Sequence, residues 1–450
     1  MAKYGVDMRE GSVLKNHLRF ALPLMATSVL QLFYNAADQV VVGQFTGSHA
    51  LAAIGATSSL NLLIINLFMG LSVGAGIVIS RKYGAGDIYG LNKTAHSAVG
   101  ISFIMGFVAM ITGLLFCRPL LAFFGTPLEV IDLSVLYMRI LFAGAPFVMV
   151  YNFGASILRS VGDTKRPLYI LSVTGIVNVV LNLILVIVFH MGVAGVAIAT
   201  ITANFLSAFA VLYVLCKSDA PYRITFKNIR IYKDDVINFI KIGLPAGVQS
   251  IMFNISNAVV QSAVNGLGTT VMAANTAVGS IDGFVYVSTN AFYQSTLTSV
   301  GQNYGAKNKK RIYKTLGVGI CCSALTGLIL SILFVIFAEK LLGIYISDNQ
   351  EAIQIGVSRM FITTLPYFLI AIMEQLGALL NGLGKVGWSA INAFLGTCVL
   401  RVGWIIFAFP MNPTFNFINL VYPVSWVATI ILHLVVFLCI KKKTMAQMMS

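Results

Sequence analysis

The chain has 450 residues, of which 58% are hydrophobic and only 10% charged, against about 45–50% and about 25% for soluble domains. That balance excludes a soluble globule, because most of the surface must face hydrocarbon. The net charge of +15 does not point to nucleic acid either, since the basic residues fall in short clusters between apolar runs and not along one stripe.

Residues 1–20 are polar and basic, and the first apolar run continues to Val42, so the pattern predicts a first span and not a cleaved leader. Spans are predicted at 18–44, 51–79, 94–117, 134–158, 168–189 and 193–216. After a polar segment, Lys217–Asp235, they resume at 237–264, 271–300, 314–337, 357–380, 387–409 and 418–440. About 20 apolar residues in a helix cross about 30 Å of lipid tails, and a helix satisfies its own backbone there. The sequence therefore predicts an all-α integral membrane protein of twelve transmembrane helices: an N-terminal six-helix lobe (1–216), a cytoplasmic linker (217–235) and a C-terminal six-helix lobe (236–450). With a cytoplasmic N-terminus, 25 of the 30 Lys and Arg residues fall on the inner side, which predicts a multi-pass protein of the inner (plasma) membrane with both termini cytoplasmic. The lipid bilayer is the expected partner, with no nucleic acid, and a monomer is the expectation. The six cysteines lie within or at the ends of apolar runs without metal-like spacing and read as small buried hydrophobes.

The halves repeat. Pro23 and Asn35 precede Pro245 and Asn257 by 222 positions, Tyr83-Gly84-Ala85 precedes Tyr304-Gly305-Ala306 by 221, and Arg139 and Pro146 precede Arg359 and Pro366 by 220. Six spans per copy is an even number, so both copies enter the membrane in the same direction, as parallel pseudo-symmetric repeats.

Polar residues interrupt the apolar spans at helical spacing. Gln31, Asn35 and Asp38 share one face of the first span, and Asn254, Asn257 and Gln261 repeat that stripe in the seventh without the acid. The eighth span carries Asn275, Ser280, Asp282, Ser288, Asn290 and Gln294, as expected of a cavity wall. Three acids, Asp38, Asp282 and Glu374, lie within spans, where a carboxylate costs roughly 2.5–3.5 kcal/mol or more unless protonated, paired or hydrated. Each is a candidate for ion coupling or, as a bland alternative, a hydrated residue at a cavity mouth. Counting residues inward from the outer loop ends at 1.5 Å per residue puts Asp38, Asn182 and Thr200 each about 12 Å deep, with Asn178 one turn deeper on the face of Asn182. These four could form one polar site, or the two asparagines could simply bond neighbouring helices. Glu374 counts to a separate, deeper position. Prolines and glycines within spans, Pro23 and Pro245 among them, mark kinks or close helix contacts.

No GxxxxGK[ST] loop is present, so ATP does not drive the chain directly and any work it does must draw on an ion gradient or a solute's own gradient, and no zinc pair or GxSxG elbow supports catalysis. No cofactor is called for beyond a coupling ion, and the protein reads as no enzyme.

Ala21-Leu22-Pro23 with Asp38, the loop Arg81-Lys82-Tyr83-Gly84-Ala85-Gly86-Asp87, the run from Ile157 to Pro167 that contains Arg159-Ser160-Val161-Gly162-Asp163, and Gly192 to Thr200 together resemble the multidrug and toxic compound extrusion (MATE) family. The resemblance covers essentially the whole chain. It implies a secondary active transporter, working by alternating access, that exports cationic or amphipathic organic compounds such as drugs and toxins by antiport with H⁺ or Na⁺. It also implies V-shaped six-helix lobes around a cleft. On that resemblance Asp38, Asn178, Asn182 and Thr200 are the cation-coupling residues, with Na⁺ at Asp38 as the one metal candidate. Gln31, Asn35, Asn254, Asn257, Gln261, Asp282 and Glu374 are the substrate-cleft residues. Asn182 stands where one branch of the family carries an acid, which favours a proton over sodium, and the seventh span lacks the glutamate of another branch. A lipid-linked precursor flippase of the same superfamily is the alternative, with Arg401 its clearest in-span arginine. A membrane-embedded transferase would need acid or histidine constellations that the loops do not offer.

Overall fold

The computed structural model describes residues 5–46, 48–346 and 349–449, and among them the only regular structure is helical. The first half comprises α1 (Val13–Phe45), α2 (Ser48–Ala85), α3 (Ile88–Phe123), the bent pair α4 (Leu128–Ala143) and α5 (Ala145–Ser160), α6 (Lys165–Leu183) with a π-helical turn Ile184–Val188, and α7 (Gly192–Cys216). The second comprises α8 (Lys233–Asn265), α9 (Thr269–Gly305), α10 (Lys309–Ile336), the short α11 (Ala338–Tyr345), and α12 (Gln350–Ile362) with α13 (Phe368–Gly382). It ends with α14 (Val386–Ala393) and α15 (Leu400–Gly403) joined by the π-helical turn Phe394–Val399, then α16 (Phe415–Asn419) with α17 (Val421–Met449). Among the described residues nine helices are long and apolar enough to cross a membrane, and the α4–α5 pair, bent by 47°, makes ten. The long helices α2 and α9, of 38 and 37 residues, complete the twelve in chain order. The Asn, Ser and Asp side chains of α9 dilute its hydropathy.

Two spans are broken at repeated prolines. Pro146 stands in the first turn of α5, just after the Gly144 bend, and its counterpart Pro366 stands in a 3-10 turn between α12 and α13. Proline lacks the N–H a helix interior needs and pushes the preceding residue out of helical geometry. The faces that meet are built from small residues. On α3 the large side chains Ile104, Phe107, Val108, Ile111 and Leu115 are exposed at helical spacing, while Gly106, Ala109 and Gly113 are buried. This inside-small, outside-large pattern is the one membrane helices use, because lipid solvates large apolar groups as well as a core does.

The chain forms two compact units: residues Met1–Asp7 with Ala26–Gly247, and Met8–Met25 with Val248–Ser450. The division falls two residues after Pro23 and two after Pro245, so α1 and α8 each contribute their first turns to one unit and the remainder to the other. In unit 1 the start of α8 lies backbone-to-backbone on α2. A Cβ at Gly70 would sit 2.5 Å from the Gly243 carbonyl oxygen, and one at Gly74 2.6 Å from that of Phe239. The 217–235 segment is laced to α3, where His96 accepts from the Thr225 N–H (3.0 Å) and Ser97 from the Tyr232 N–H (3.3 Å). Asp235 closes it by accepting from Lys82 (3.1 Å), Thr94 (3.0 Å) and Ser97 (3.3 Å). In unit 2, Gln302 and Asn303 bond the Met8 backbone (both 3.1 Å). The Arg311 guanidinium grips the carbonyls of Met8, Glu10 and Gly11 at 2.7–2.9 Å.

Candidate functional site

Each unit holds a partly open cavity lined by polar and aromatic side chains. The first, of about 300 Å³, is lined by Gln31, Tyr34, Asn35 and Asp38 of α1, by Thr174, Gly175 and Asn178 of α6, and by Thr200, Asn204 and Ser207 of α7. Helical spacing explains the meeting. Residues 31, 35 and 38 share one face of α1, and residues 174 and 178 share one face of α6 with 182 a turn beyond. Tyr34 sets the register: its hydroxyl donates to the Ser172 carbonyl (3.2 Å), and its ring fills the space a Cβ would need at Gly175. Asp38, one turn further along α1, then faces the amides. Asn182 donates to the Asp38 carboxylate. In the orientation that satisfies both ends of the Asn178 amide, its nitrogen donates to Asp38 Oδ1 (3.1 Å) and its oxygen accepts from the Thr200 N–H (3.3 Å); this assignment rests on the hydrogen-bond network. The Thr200 hydroxyl donates back to the Val196 carbonyl (2.9 Å), which leaves its oxygen facing Asn178. The Asn182 Oδ1 atom is buried without a partner. Asp38 has no basic partner among the described residues; the groups that meet it are the amides of Asn178 and Asn182.

The structure thus brings Asp38, Asn178, Asn182 and Thr200 together, and puts Gln31 and Asn35 on the same cavity wall, toward its exposed side. Tyr137 of α4 also lies within electrostatic reach of Asp38. It carries no sequence signal, being one of 17 tyrosines at unremarkable spacing, whereas Tyr34 could have been found as the residue one turn before Asp38 on its polar face.

The second cavity, of about 270 Å³, lies in unit 2 and is lined by Phe253 and Asn257 of α8, Asp282 and Tyr286 of α9, Arg359, Thr363, Tyr367, Ile370, Arg401, and Tyr422 and Trp426 of α17. Asp282 is paired: Arg359 lies 3.7 Å away and the Thr364 hydroxyl donates to it (2.6 Å). Arg359 is held in turn by the Asn275 carbonyl (2.6 Å) and Asn419 (3.3 Å). Asn257 accepts from Arg401 (2.6 Å), a pairing across 144 residues that no spacing rule foretells. Gln261 accepts from Asn275 (2.6 Å), joining α8 to α9. Asn254 turns back onto the Ser250 carbonyl of its own helix (3.0 Å) and does not line this cavity. Glu374 of α13 is also in unit 2, beside Tyr286 and Asn290. One of its carboxyl oxygens is buried without a hydrogen-bond partner, and it has no basic partner among the described residues. No cluster of three His, Cys, Asp or Glu residues suited to a metal occurs among the described residues.

A family model described as MatE matches residues 23–184 and again residues 245–406, the same two segments that the internal repeat relates. Among relatives, the probable multidrug resistance protein YoeA of Bacillus subtilis is 28% identical over 388 residues, covering 84% of this chain and 83% of its own. The multidrug export protein MepA of Staphylococcus saprophyticus is 23% identical over 427 residues, covering 94% and 92%. A solved structure described as the outward-facing conformation of a multidrug resistance MATE family transporter of the MOP superfamily superposes with a TM-score of 0.90 at 24% identity over 100% of both chains. At that identity the structural likeness is one of fold.

Proposed function

The chain belongs to the MATE family of multi-pass membrane transporters, which are not enzymes, and from that premise we propose that it exports cationic or amphipathic organic compounds across the plasma membrane by antiport, with Asp38 as the site where the coupling ion binds. The observation that carries this reading is a carboxylate inside a membrane span that meets two amides but, among the described residues, no base. Such a group is costly in lipid, and a proton or a sodium ion arriving there offsets the cost. Amide nitrogens, not oxygens, are turned toward Asp38, so these amides offer no oxygen to a sodium ion at the carboxylate, which favours the proton as the coupling ion. Binding that differs between two conformations shifts their populations, which is how an ion at Asp38 would drive cargo out. Glu374, likewise without a base, offers a second negative charge beside the aromatic rings of Tyr286 and Tyr293, suited to an organic cation. The names of YoeA and MepA support a drug-like cargo, and the basic clusters support cytoplasmic termini. The flippase alternative needs several unmatched arginines for a diphosphate, and Arg359 is already matched by Asp282.

Purified protein in liposomes, with efflux of a cationic dye followed under an imposed proton gradient and then a sodium gradient, tests the proposal. A dye flux that follows the proton gradient and is lost in Asp38→Asn is the expected result. A flux indifferent to both gradients, or an Asp38→Asn variant as fast as wild type at equal incorporation, refutes it.

A further inference from the structure

The unit-2 cavity has a polarity opposite to that of unit 1. Both draw on the first and fifth spans of their repeat, α1 and α6 in one and α8 and α14–α15 in the other, alongside α7 in unit 1 and α9, α12, α13 and α17 in unit 2. In unit 1 the first span supplies a carboxylate and the fifth supplies amides. In unit 2 the first span supplies an amide, Asn257, and the fifth supplies a guanidinium, Arg401. The two charged groups of the cavity other than Arg401 neutralise each other as the Asp282–Arg359 pair, so Arg401 leaves the cavity with one net positive charge.

Arg401 is fully buried. Its guanidinium carbon lies 4.7 Å from the Tyr422 ring centroid and 5.4 Å from that of Phe253, so its flat faces are covered by aromatic rings and only its in-plane N–H edges can take a polar partner. Nε donates to Ser425 (3.0 Å) and Nη1 to Asn257 (2.6 Å), while Nη2 is buried with no hydrogen-bond partner. A second donor, the indole Nε1 of Trp426, a residue that also lines the cavity, is likewise buried with no partner among the described residues. Both unfilled groups are donors and one is cationic, and the cavity's own acid is already engaged. An unmet buried donor is a large penalty, and an unmet buried cation in a membrane is larger still. A ligand that brings acceptors and a negative charge removes both penalties at once. The remaining lining, Phe253, Tyr286, Tyr367, Tyr422 and Trp426, with Trp426 5.6 Å and edge-on from Tyr367, offers ring faces to a flat apolar body.

We propose that the unit-2 cavity is a binding site for the carboxylate of a small aromatic or amphipathic molecule, its two oxygens taking the free edge of Arg401 and the indole N–H of Trp426. The chain would then accept anionic or zwitterionic cargo as well as cations. This inference does not depend on ion coupling at Asp38 and can hold or fail without it.

Equilibrium binding of radiolabelled benzoate to the purified full chain tests it, with benzamide, acetate, inorganic phosphate and an anionic phospholipid as competitors. The expected result is saturable benzoate binding that benzamide does not displace, and that acetate, phosphate and the lipid displace only at far higher concentration. Affinity should fall at least about tenfold in Arg401→Gln and fall less in Arg401→Lys, which keeps the charge. Displacement by benzamide at equal concentration would show that the carboxylate is not read, and equal displacement by phosphate or lipid would show that the ring is not; either overturns the proposal, as does undiminished binding in a folded Arg401→Gln. Should Arg401→Gln not fold, benzoate against benzamide protection of the wild-type chain from heat decides the matter: equal protection, or none from either, overturns it.

Discussion

Alanine at Gly243 should destabilise the protein relative to alanine at Gly317, although both are glycines inside long helices. A Cβ at Gly243 would lie 2.6 Å from the Leu71 Cα and 2.7 Å from the Gly70 carbonyl oxygen, backbone atoms that cannot rotate aside, whereas one at Gly317 would meet nothing within 4 Å. Each substitution gains about 0.8–1 kcal/mol of helix propensity. At Gly243 the helices must also part, at a cost of about 1–3 kcal/mol, and that difference separates the two variants. For folded units of about 200 residues, each kcal/mol moves the melting midpoint by roughly 2–4 °C, so the two variants should melt roughly 2–12 °C apart, with Gly317→Ala the higher. Heating each purified variant in the same detergent while following helicity by circular dichroism measures this. If both midpoints move in the same direction by the same amount, the close approach of α2 and α8 is not a stabilising contact and the reasoning fails.

Two other perturbations bear on groups that the cavities and the linker depend on. Asp282→Ala leaves the buried Arg359 without its acid and should cost about 3–5 kcal/mol; Asp282→Ala combined with Arg359→Met should recover part of that loss in the same melting assay, and a single variant as stable as wild type would remove the ion pair from the account of unit 2. Asp235→Ala deletes the acceptor shared by Lys82, Thr94 and Ser97; trypsin should then cut at Arg230 and Lys233 markedly faster in the otherwise folded protein, and an unchanged rate would mean that the segment is held by its other contacts with α3, those of Asn92, His96 and Ser97 among them.

The spans and the repeat were legible because membrane solvation writes them into composition: a run of about 20 apolar residues has few other uses. The meeting of Asp38 with Asn178, Asn182 and Thr200 could be approached by counting depth from loop ends, since all helices share one rise per residue. What depth cannot supply is rotation. Whether Asp282 faces Arg359, or Asn257 faces Arg401, depends on how two helices turn about their axes, and that is set by contacts such as Tyr34 against Gly175 that look like ordinary apolar spacing. The tyrosine beside Asp38 on α4 was hidden for the same reason. Pro146 and Pro366 could be read as kinks, but the 47° bend beside the first and the 3-10 turn at the second depend on what the following helices pack against.

The crossing of α1 and α8 between units at Pro23 and Pro245 has a consequence for anyone who would express the halves apart. A piece starting at residue 236 would be made without residues 8–25, and Gln302, Asn303 and Arg311 would lose the backbone they hold. A piece ending at residue 216 would leave Gly70 and Gly74 with no partner for their bare backbone. Co-produced, the pieces could regain both contacts only by each lending the other the opening turns of a helix, the same trade by which domain-swapped dimers are completed.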